Sequence, residues 1–344
     1  MIGDNMGGLL FKEYNTVRLS RTDYEAFSTA LKLHLKDKFP QIPFIEPTPY
    51  FSKADFGDLD LLYTSISPDD LIQLFPNTPV VRNGITTSFC LPTLDQQHFQ
   101  VDFIRIPFDQ LYFAYAYFSY NDLGNLLGRV AHRLGFKLGF TGLQYVVRGL
   151  DNEHLVVAEL TVTKSWAEAL DVLRYSSKTW ERGFATEEDI FRYVLTSGYV
   201  VKDMFALEQT NHVNRIRNRK RQIYSKFIEW VKEQDIPEKL VIPKTELRQQ
   251  FLEKVCILFP AFEDQLKQAR LKEEQLKRVR ERFNGEIISE LTGLSGKELG
   301  SFIQEFIHRV IEERDNSTKI NWVAIHSKEE IISKIIQFKS QLDE

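Results

Sequence analysis

Hydrophobic and polar positions in the first hundred residues predict alternating helices and strands. Apolar side chains recur with helical spacing from Ser20 to Lys38, with Ser20 as the predicted N-cap. Ser67 followed by Pro68 predicts a second helix start. Strands are expected where β-branched, aromatic or continuously apolar residues cluster, at 44–50, 59–63, 80–91 and 96–107, with a tight turn between strands at Asn83-Gly84. Up to about residue 107 the pattern predicts one unit of mixed α and β structure.

The pattern changes in the remainder of the chain, where helical periodicity dominates. A helix is expected within 121–136, two β-like runs at 142–149 and 154–162, and two further helices near 165–174 and 186–195. Beyond residue 200 the chain is expected to be almost wholly helical.

Two carboxylates interrupt the predicted strand at 59–63 and its approach. Asp58 and Asp60 share one face of such a strand, whereas Leu59 and Leu61 point to the other face and into a core. Buried like charges need a partner or a metal, and hard oxygen ligands suit Mg²⁺. Asp102, in a later predicted strand, supplies a third acid. The competing interpretation is a solvated strand edge with no ligand.

Composition limits the classes of protein that remain. With 344 residues, 43% of them apolar and 27% charged, an ordinary globular protein of two or three domains is expected. No apolar run approaches the ~18 residues of a membrane helix. No signal-peptide pattern opens the sequence, and Cys90 and Cys256 lie too far apart for a metal or disulfide motif. An intracellular protein, cytoplasmic or nuclear and without a membrane partner, is therefore expected.

The carboxylate pattern resembles the nucleotidyltransferase superfamily, and within it most closely the family X DNA polymerases. In that family an Asp-x-Asp strand follows a Gly-Ser pair, and a third Asp lies on a later strand. Gly57, Asp58 and Asp60 match the strand motif, and Asp102 matches the third acid. The resemblance implies that these three aspartates are catalytic and hold two Mg²⁺ or Mn²⁺ ions. It also implies that Gly57 belongs to the nucleotide site.

The resemblance continues beyond the third acid, over roughly residues 15 to 200. Tyr117 and Phe118 match an aromatic pair that shapes the sugar pocket in the family. Asp122 and Asn125 fall at its base-stacking and base-edge positions, and Arg129 at its minor-groove arginine. These residues are therefore expected to bind the incoming nucleotide and the nucleic acid.

The sequence departs from the family pattern at three places, two at the expected triphosphate and one beside the expected sugar pocket. Pro47 and Thr48 stand at the Gly-Ser position, so that Thr48 keeps a hydroxyl but the proline removes an N–H donor. The arginines that usually follow are replaced, which leaves Lys53 as the nearest cation. Tyr120 replaces a glycine after the aromatic pair, which speaks against the family's backbone turn at that position.

Two features of the carboxyl-terminal half also suggest nucleic acid. A basic run is predicted to lie on a helix, where it either contacts phosphates or forms an ordinary solvated face: Arg215, Arg217, Arg219, Lys220 and Arg221. Local patches of this kind matter because the net charge is only −4. The glycines of "FNGEIISELTGLSGKELG" resemble the tail of tRNA nucleotidyltransferases: Gly285, Gly293, Gly296 and Gly300.

Together these observations predict an α+β architecture. It comprises a nucleotidyltransferase palm with a mixed sheet at 1–118, a thumb-like α+β domain at 119–200 and a helical domain at 201–344. The expected activity is transfer of a nucleoside monophosphate from an NTP or dNTP to a nucleic-acid 3′-hydroxyl, with DNA favoured over RNA. The alternatives are an RNA-directed or template-independent terminal transferase, and a catalytically inactive nucleic-acid-binding protein that keeps the fold.

Overall fold

The computed structural model describes residues 10–149, 155–205 and 222–343, and within these ranges the protein is α+β with a mixed sheet and a helical carboxyl-terminal region. The α+β class expected from the sequence is therefore confirmed. By its contacts the chain divides into two compact units, one of Met1–Val146 with Thr161–Phe259 and one of Val147–Leu160 with Pro260–Glu344. The finer division into three domains stays a prediction.

The main sheet of the first unit has five strands in the order β2-β4-β7-β6-β5. The strands are β2 (Phe44–Ile45), β4 (Asp58–Tyr63), β5 (Val80–Asn83), β6 (Thr86–Pro92) and β7 (His98–Arg105). The pair β4–β7 is parallel, and the other neighbours are antiparallel. Strands β1 (Leu19–Ser20) and β3 (Asp55–Phe56) pair separately. The strand expected at 44–50 ends at Ile45, because Pro47 and Pro49 cannot donate to a ladder.

Two helices cover one face of the main sheet. Helix α1 (Arg21–Lys38) begins at Ser20, whose hydroxyl accepts the Asp23 N–H, and α2 (Pro68–Leu74) begins with a capping box at Ser67. Both starts match the sequence prediction. The core beneath them consists of buried apolar side chains from the strands and α1, among them Leu59, Leu61, Phe89, Val101, Phe103, Leu31 and Leu35.

The opposite face of the sheet carries the acids at one end and is covered by helix α3 (Leu111–Phe118) at the other. Leu62 and Ile104 pack there against Leu111 and Ala114. Because the acids and these apolar residues share one sheet face, α3 lies on the same face of the sheet as the carboxylates. The carboxyl end of α3 lies near the 47–53 loop, because Tyr115 and Ser119 hydrogen-bond to Thr48.

After α3 the described part of the chain forms a further helix, a small sheet and five more α-helices before residue 260. Helix α4 (Leu123–Leu134) leads into a three-stranded sheet of order β10-β9-β8, with β8 Phe136–Gly139, β9 Gly142–Arg148 and β10 Val156–Thr163. The helices that follow are α5 (Trp166–Val172), α6 (Ser177–Arg182), α7 (Glu187–Leu195), α8 (Gln222–Lys232) and α9 (Lys244–Leu258). They agree with the helical pattern expected from the sequence.

The second unit contains the helical end of the chain. Its helices are α10 (Pro260–Arg282), α11 (Gly285–Thr292), α12 (Gly296–Phe306), α13 (Lys319–Ile325) and α14 (Lys328–Asp343), with a π-helical segment at Ile307–Arg314. Phe283, Phe306 and Trp322 lie in its core. Gly293, one of the four glycines singled out in the sequence, ends α11 with a φ of 72°. In the part of the chain described, no helix has the length and apolarity that crossing a membrane requires.

Candidate active site

The three aspartates singled out in the sequence lie together on two adjacent strands. Asp60 on β4 is the register partner of Asp102 on β7, and Asp58 is the partner of Gln100. Because side chains alternate along a strand, all four point to the same face of the sheet. Leu59 and Leu61 point to the other face and are fully buried in the core. The local pattern predicted for β4 is therefore the one the structure shows.

The three carboxylates are partly exposed, yet burial is the largest cause of the raised pKa values of Asp60 and Asp102. Burial, and then the charges of Asp58 and Asp102, raise the pKa of Asp60 well above its usual value. Burial and the charge of Asp58 raise the pKa of Asp102 to about 6. Mutual repulsion on this face is thus strong enough to favour a neutral carboxyl group, or a cation bound beside the charged ones.

Asp102 is held by two side chains that the sequence analysis did not single out. The Gln100 amide Nε2 donates to both carboxylate oxygens of Asp102, at 3.1 and 3.0 Å. The Gln100 Oε1 atom accepts the Leu10 N–H at 3.1 Å, and the glutamine itself is 1% exposed. Ser88, the register partner of Asp102 on β6, also hydrogen-bonds to its carboxylate. These bonds to the charged form oppose the rise in the Asp102 pKa.

Oxygen ligands on adjacent strands match Mg²⁺ or Mn²⁺ in chemical type. The register supports this fit, since neighbouring strands lie only about 4.8 Å apart. As the side chains stand, however, no three His, Cys, Asp or Glu residues of the described ranges converge into a group that could hold a metal ion. The two Asp102 oxygens offer about four acceptor positions, so the bonds from Gln100 and Ser88 leave capacity for a further partner. The donor set therefore fits a divalent cation, but only with movement of the carboxylate side chains.

Lys53, the predicted triphosphate ligand, interacts electrostatically with Asp58 and Asp60. Its ammonium lies 4.4 Å from the centre of the Phe56 ring. Burial lowers the pKa of Lys53, while the charges of Asp58 and Asp60 oppose that shift. Gly57, also predicted at this site, is buried in the short link between β3 and β4. Lys53 and the acids thus form one electrostatic group.

Thr48, the other predicted phosphate ligand, is engaged inside the protein. Its hydroxyl lies 2.7 Å from the Tyr115 hydroxyl, and its N–H donates to Ser119 Oγ at 3.0 Å. The Thr48 carbonyl accepts the Tyr120 N–H at 2.7 Å. These bonds fasten the loop to the carboxyl end of α3. Tyr115 and Ser119 were not identified from the sequence, because only the packing of α3 brings them to Thr48.

The backbone turns at Tyr120 although no glycine stands there, and whether this is the family's turn stays a prediction. Tyr120 and Asn121 both have a φ of 59°, so the backbone does make a left-handed turn after the aromatic pair, without a glycine. The Tyr120 ring is buried and packs edge-on against Trp180 and Phe184. This packing offsets the cost of the left-handed conformation.

The turn joins α3 to α4 and gathers the residues predicted to frame a nucleotide. The half-buried rings of Tyr117 and Phe118 meet edge-on at 5.4 Å, and Asp122 stands at the N-cap of α4. A Cβ at Gly124 would lie 2.2 Å from the Tyr117 carbonyl oxygen, so the two helices approach closely. The Asn125 amide Nδ2 is buried and has no hydrogen-bond partner in the described structure. Such a donor is costly unless a ligand uses it.

Of the residues predicted to contact nucleic acid, the structure describes only Arg129. The Arg129 Nη2 atom donates to the Met204 carbonyl at 2.8 Å, so this guanidinium supports the fold of the first unit. The basic run lies outside the described residues: Arg215, Arg217, Arg219, Lys220 and Arg221. Its contribution to binding therefore stays a prediction.

No protein-family model matches the chain, and no curated protein matches it either. The family resemblance therefore depends on the sequence motifs alone.

Proposed function

We propose that the protein is a metal-dependent nucleotidyltransferase of the family X polymerase type, built on a nucleotidyltransferase palm. It would transfer a nucleoside monophosphate from an NTP or dNTP to a nucleic-acid 3′-hydroxyl, inside the cell, in the cytoplasm or the nucleus. The observation that supports this most is the register pairing of Asp60 with Asp102, with Asp58 on the same face and an apolar core behind them. A structural role does not require three carboxylates to share a face at this electrostatic cost.

Each part of the site would have a separate task. Asp58, Asp60 and Asp102 would hold divalent cations, which when bound polarise the phosphoryl group and lower the pKa of the attacking hydroxyl. Gln100 would keep Asp102 oriented through its two hydrogen bonds. Lys53 would supply positive charge to the phosphates beside Asp58 and Asp60. The free amide donor of Asn125 would bind an acceptor on the nucleotide base.

The test is a primer-extension assay with purified protein. Labelled DNA and RNA primers, with and without template, would be incubated with all dNTPs or all NTPs and with Mg²⁺ or Mn²⁺. The variants would be Asp58→Asn and Asp60→Asn. Asp95→Asn, at an exposed position, is the matched control.

Extension by the wild type and by Asp95→Asn that is lost in the two site variants would support the proposal. Template-dependent extension would favour a minimal DNA polymerase, and untemplated addition would favour a terminal transferase. Failure of the wild type to extend any primer under any of these conditions would overturn transfer to nucleic-acid ends. The non-catalytic alternative would then be preferred.

A further inference from the structure

The 47–53 loop, which precedes the acids in the chain, is built in a way that does not suit a phosphate cradle. Such cradles use free backbone N–H groups. Two of the seven loop residues are prolines, and four of the five remaining N–H groups donate within the protein. The acceptors are Ser119 Oγ for Thr48 and the carbonyl oxygens of Phe184 for Phe51, Ala185 for Ser52 and Tyr50 for Lys53.

The carbonyl groups of the same loop are held from the other side. The Arg21 guanidinium donates to the carbonyl oxygens of Tyr50, Phe51 and Lys53 at 2.9–3.1 Å. Its backbone N–H donates to the Ala54 carbonyl at 3.0 Å. A loop fastened on both its N–H and its carbonyl groups has little freedom to rearrange around an anion.

One large apolar side chain stands out from this fixed loop. Phe51 is 67% exposed. The edge of its ring lies over Gly183, where an added Cβ would come within 3.4 Å of the Phe51 Cε2 atom. Lys53, two residues further on, is coupled electrostatically to Asp58 and Asp60. The loop therefore presents an aromatic ring to solvent from a backbone that hydrogen bonds hold in place. This ring lies two residues before Lys53, which interacts with the acids.

We infer that Phe51 is a stacking platform for the planar base of the nucleotide substrate, and that the loop does not bind the triphosphate through its backbone. This inference rests on the proposed function. Aromatic rings stack on any base, because every base has a π-face. A ring on a preorganised loop also loses little entropy when it binds. The platform should therefore act on all four nucleotides alike, and Lys53 alone among the loop residues should act on their phosphates.

The experiment compares the wild type with Phe51→Ala and Phe51→Tyr. Phe108→Ala is the matched control, because Phe108 is a phenylalanine of the same unit that is 78% exposed. For each protein, nucleotide-transfer kinetics would give KM and kcat for the four nucleotides. Inorganic tripolyphosphate, which has no base, would be titrated as a competitive inhibitor in the same assay.

Loss of stacking should raise KM for every nucleotide by roughly tenfold in Phe51→Ala and leave kcat nearly unchanged. Phe51→Tyr and Phe108→Ala should behave like the wild type. The inhibition constant of tripolyphosphate should be the same in all four proteins, since it makes no use of the ring.

An active wild type with unchanged KM in Phe51→Ala would overturn this inference and leave the proposed function intact. An equal rise in KM and in the tripolyphosphate inhibition constant would also overturn it, because the loop would then act on phosphate. A wild type without transfer activity would overturn the proposed function, and the inference with it.

Discussion

Asp60 and Asp102 are register partners on the parallel strands β4 and β7, with their side chains on one face of the sheet. Burial, and then the charges of Asp58 and Asp102, raise the pKa of Asp60, and burial and the charge of Asp58 raise that of Asp102. The arrangement is therefore unfavourable for a protein without a bound cation, which gives the site a measurable signature in stability.

Removing one of these charges should raise thermal stability without metal and reduce the stability gained when metal binds. Asp60→Asn should raise the melting temperature of the metal-free protein at pH 7, because it removes repulsion on the sheet face. Mn²⁺ at about one hundred times its Kd should stabilise the wild type by about 2.7 kcal/mol. The variant should gain much less. Thermal unfolding with Mn²⁺ and with a chelator measures both effects, and equal stabilisation of the two proteins by Mn²⁺ would show that the ion binds elsewhere.

The two hydrogen bonds from Gln100 to Asp102 give a second prediction. Gln100→Glu replaces a buried donor with a third negative group beside Asp102 and should cost about 1–3 kcal/mol of unfolding free energy. Gln97→Glu makes the same change at an exposed position and should stay within about 0.5 kcal/mol of the wild type. Urea unfolding at pH 7 gives both values. Equal stability of the two variants would mean that Gln100 does not support Asp102.

The sequence was sufficient to predict that Asp58 and Asp60 share one face, because the alternation of side chains along a strand is a local property. Alternation along one strand is enough to place Asp58 and Asp60 on one face and Leu59 and Leu61 on the other, whichever strand is the neighbour. The same alternation places Gln100 beside Asp102, and its polarity within an apolar strand was a usable signal. The Ser88 contact could not be found in this way, because it depends on the register between β6 and β7.

The helix α3 was not predictable from hydrophobic periodicity. Its sequence, "LYFAYAYF", alternates aromatic and small residues and lacks a polar face, so no helical period appears. Tyr120 likewise gives no local indication of a left-handed φ, which is uncommon for an aromatic residue. Tertiary packing against Trp180 and Phe184 decides that conformation.

The close contact between α3 and α4 leads to a third prediction. Gly124→Ala would place its methyl group 2.2 Å from the Tyr117 carbonyl oxygen and should cost about 1–3 kcal/mol, since the two helices must separate. Gly128→Ala, one turn later in the same helix, would meet only the Leu138 carbonyl at 3.5 Å. It should be neutral or stabilising by up to about 1 kcal/mol.

Denaturant unfolding of the two glycine variants measures this difference within one helix. A similar loss in both would show that helix propensity does not explain the result and that α4 as a whole tolerates no added methyl group. A similar gain in both would show that the approach of Tyr117 to Gly124 is not rigid.

A fourth prediction concerns pH and the helical unit. Asp315 Oδ2 accepts the Trp322 Nε1–H at 2.6 Å, and Lys334 Nζ lies 3.7 Å from the same oxygen. The hydrogen bond from Trp322, and then the nearby positive charges, lower the pKa of Asp315. A carboxylate with a lowered pKa stabilises the folded state above its unfolded pKa of about 3.9, and this contribution disappears as the pH falls through the folded value.

Asp315→Asn should therefore lower the melting temperature at pH 7. This effect should shrink as the pH falls through the folded pKa of Asp315, because the wild-type carboxyl group then loses its charge. Thermal unfolding of the whole chain at several pH values, followed by Trp fluorescence, measures the difference. A constant difference between wild type and variant over the whole pH range would show that the charge of Asp315 is not responsible.

The parallel pairing of β4 with β7 has a consequence for how the chain folds. Strands β5, β6 and β7 follow one another and pair as neighbours, so their contacts are local and form at low entropic cost. Strand β4 can join β7 only after α2, β5 and β6 have bridged the gap, which requires closure of a long loop. We therefore expect the mutually repelling aspartates to meet late, in the same step in which Leu59 and Leu61 of β4 complete the hydrophobic core.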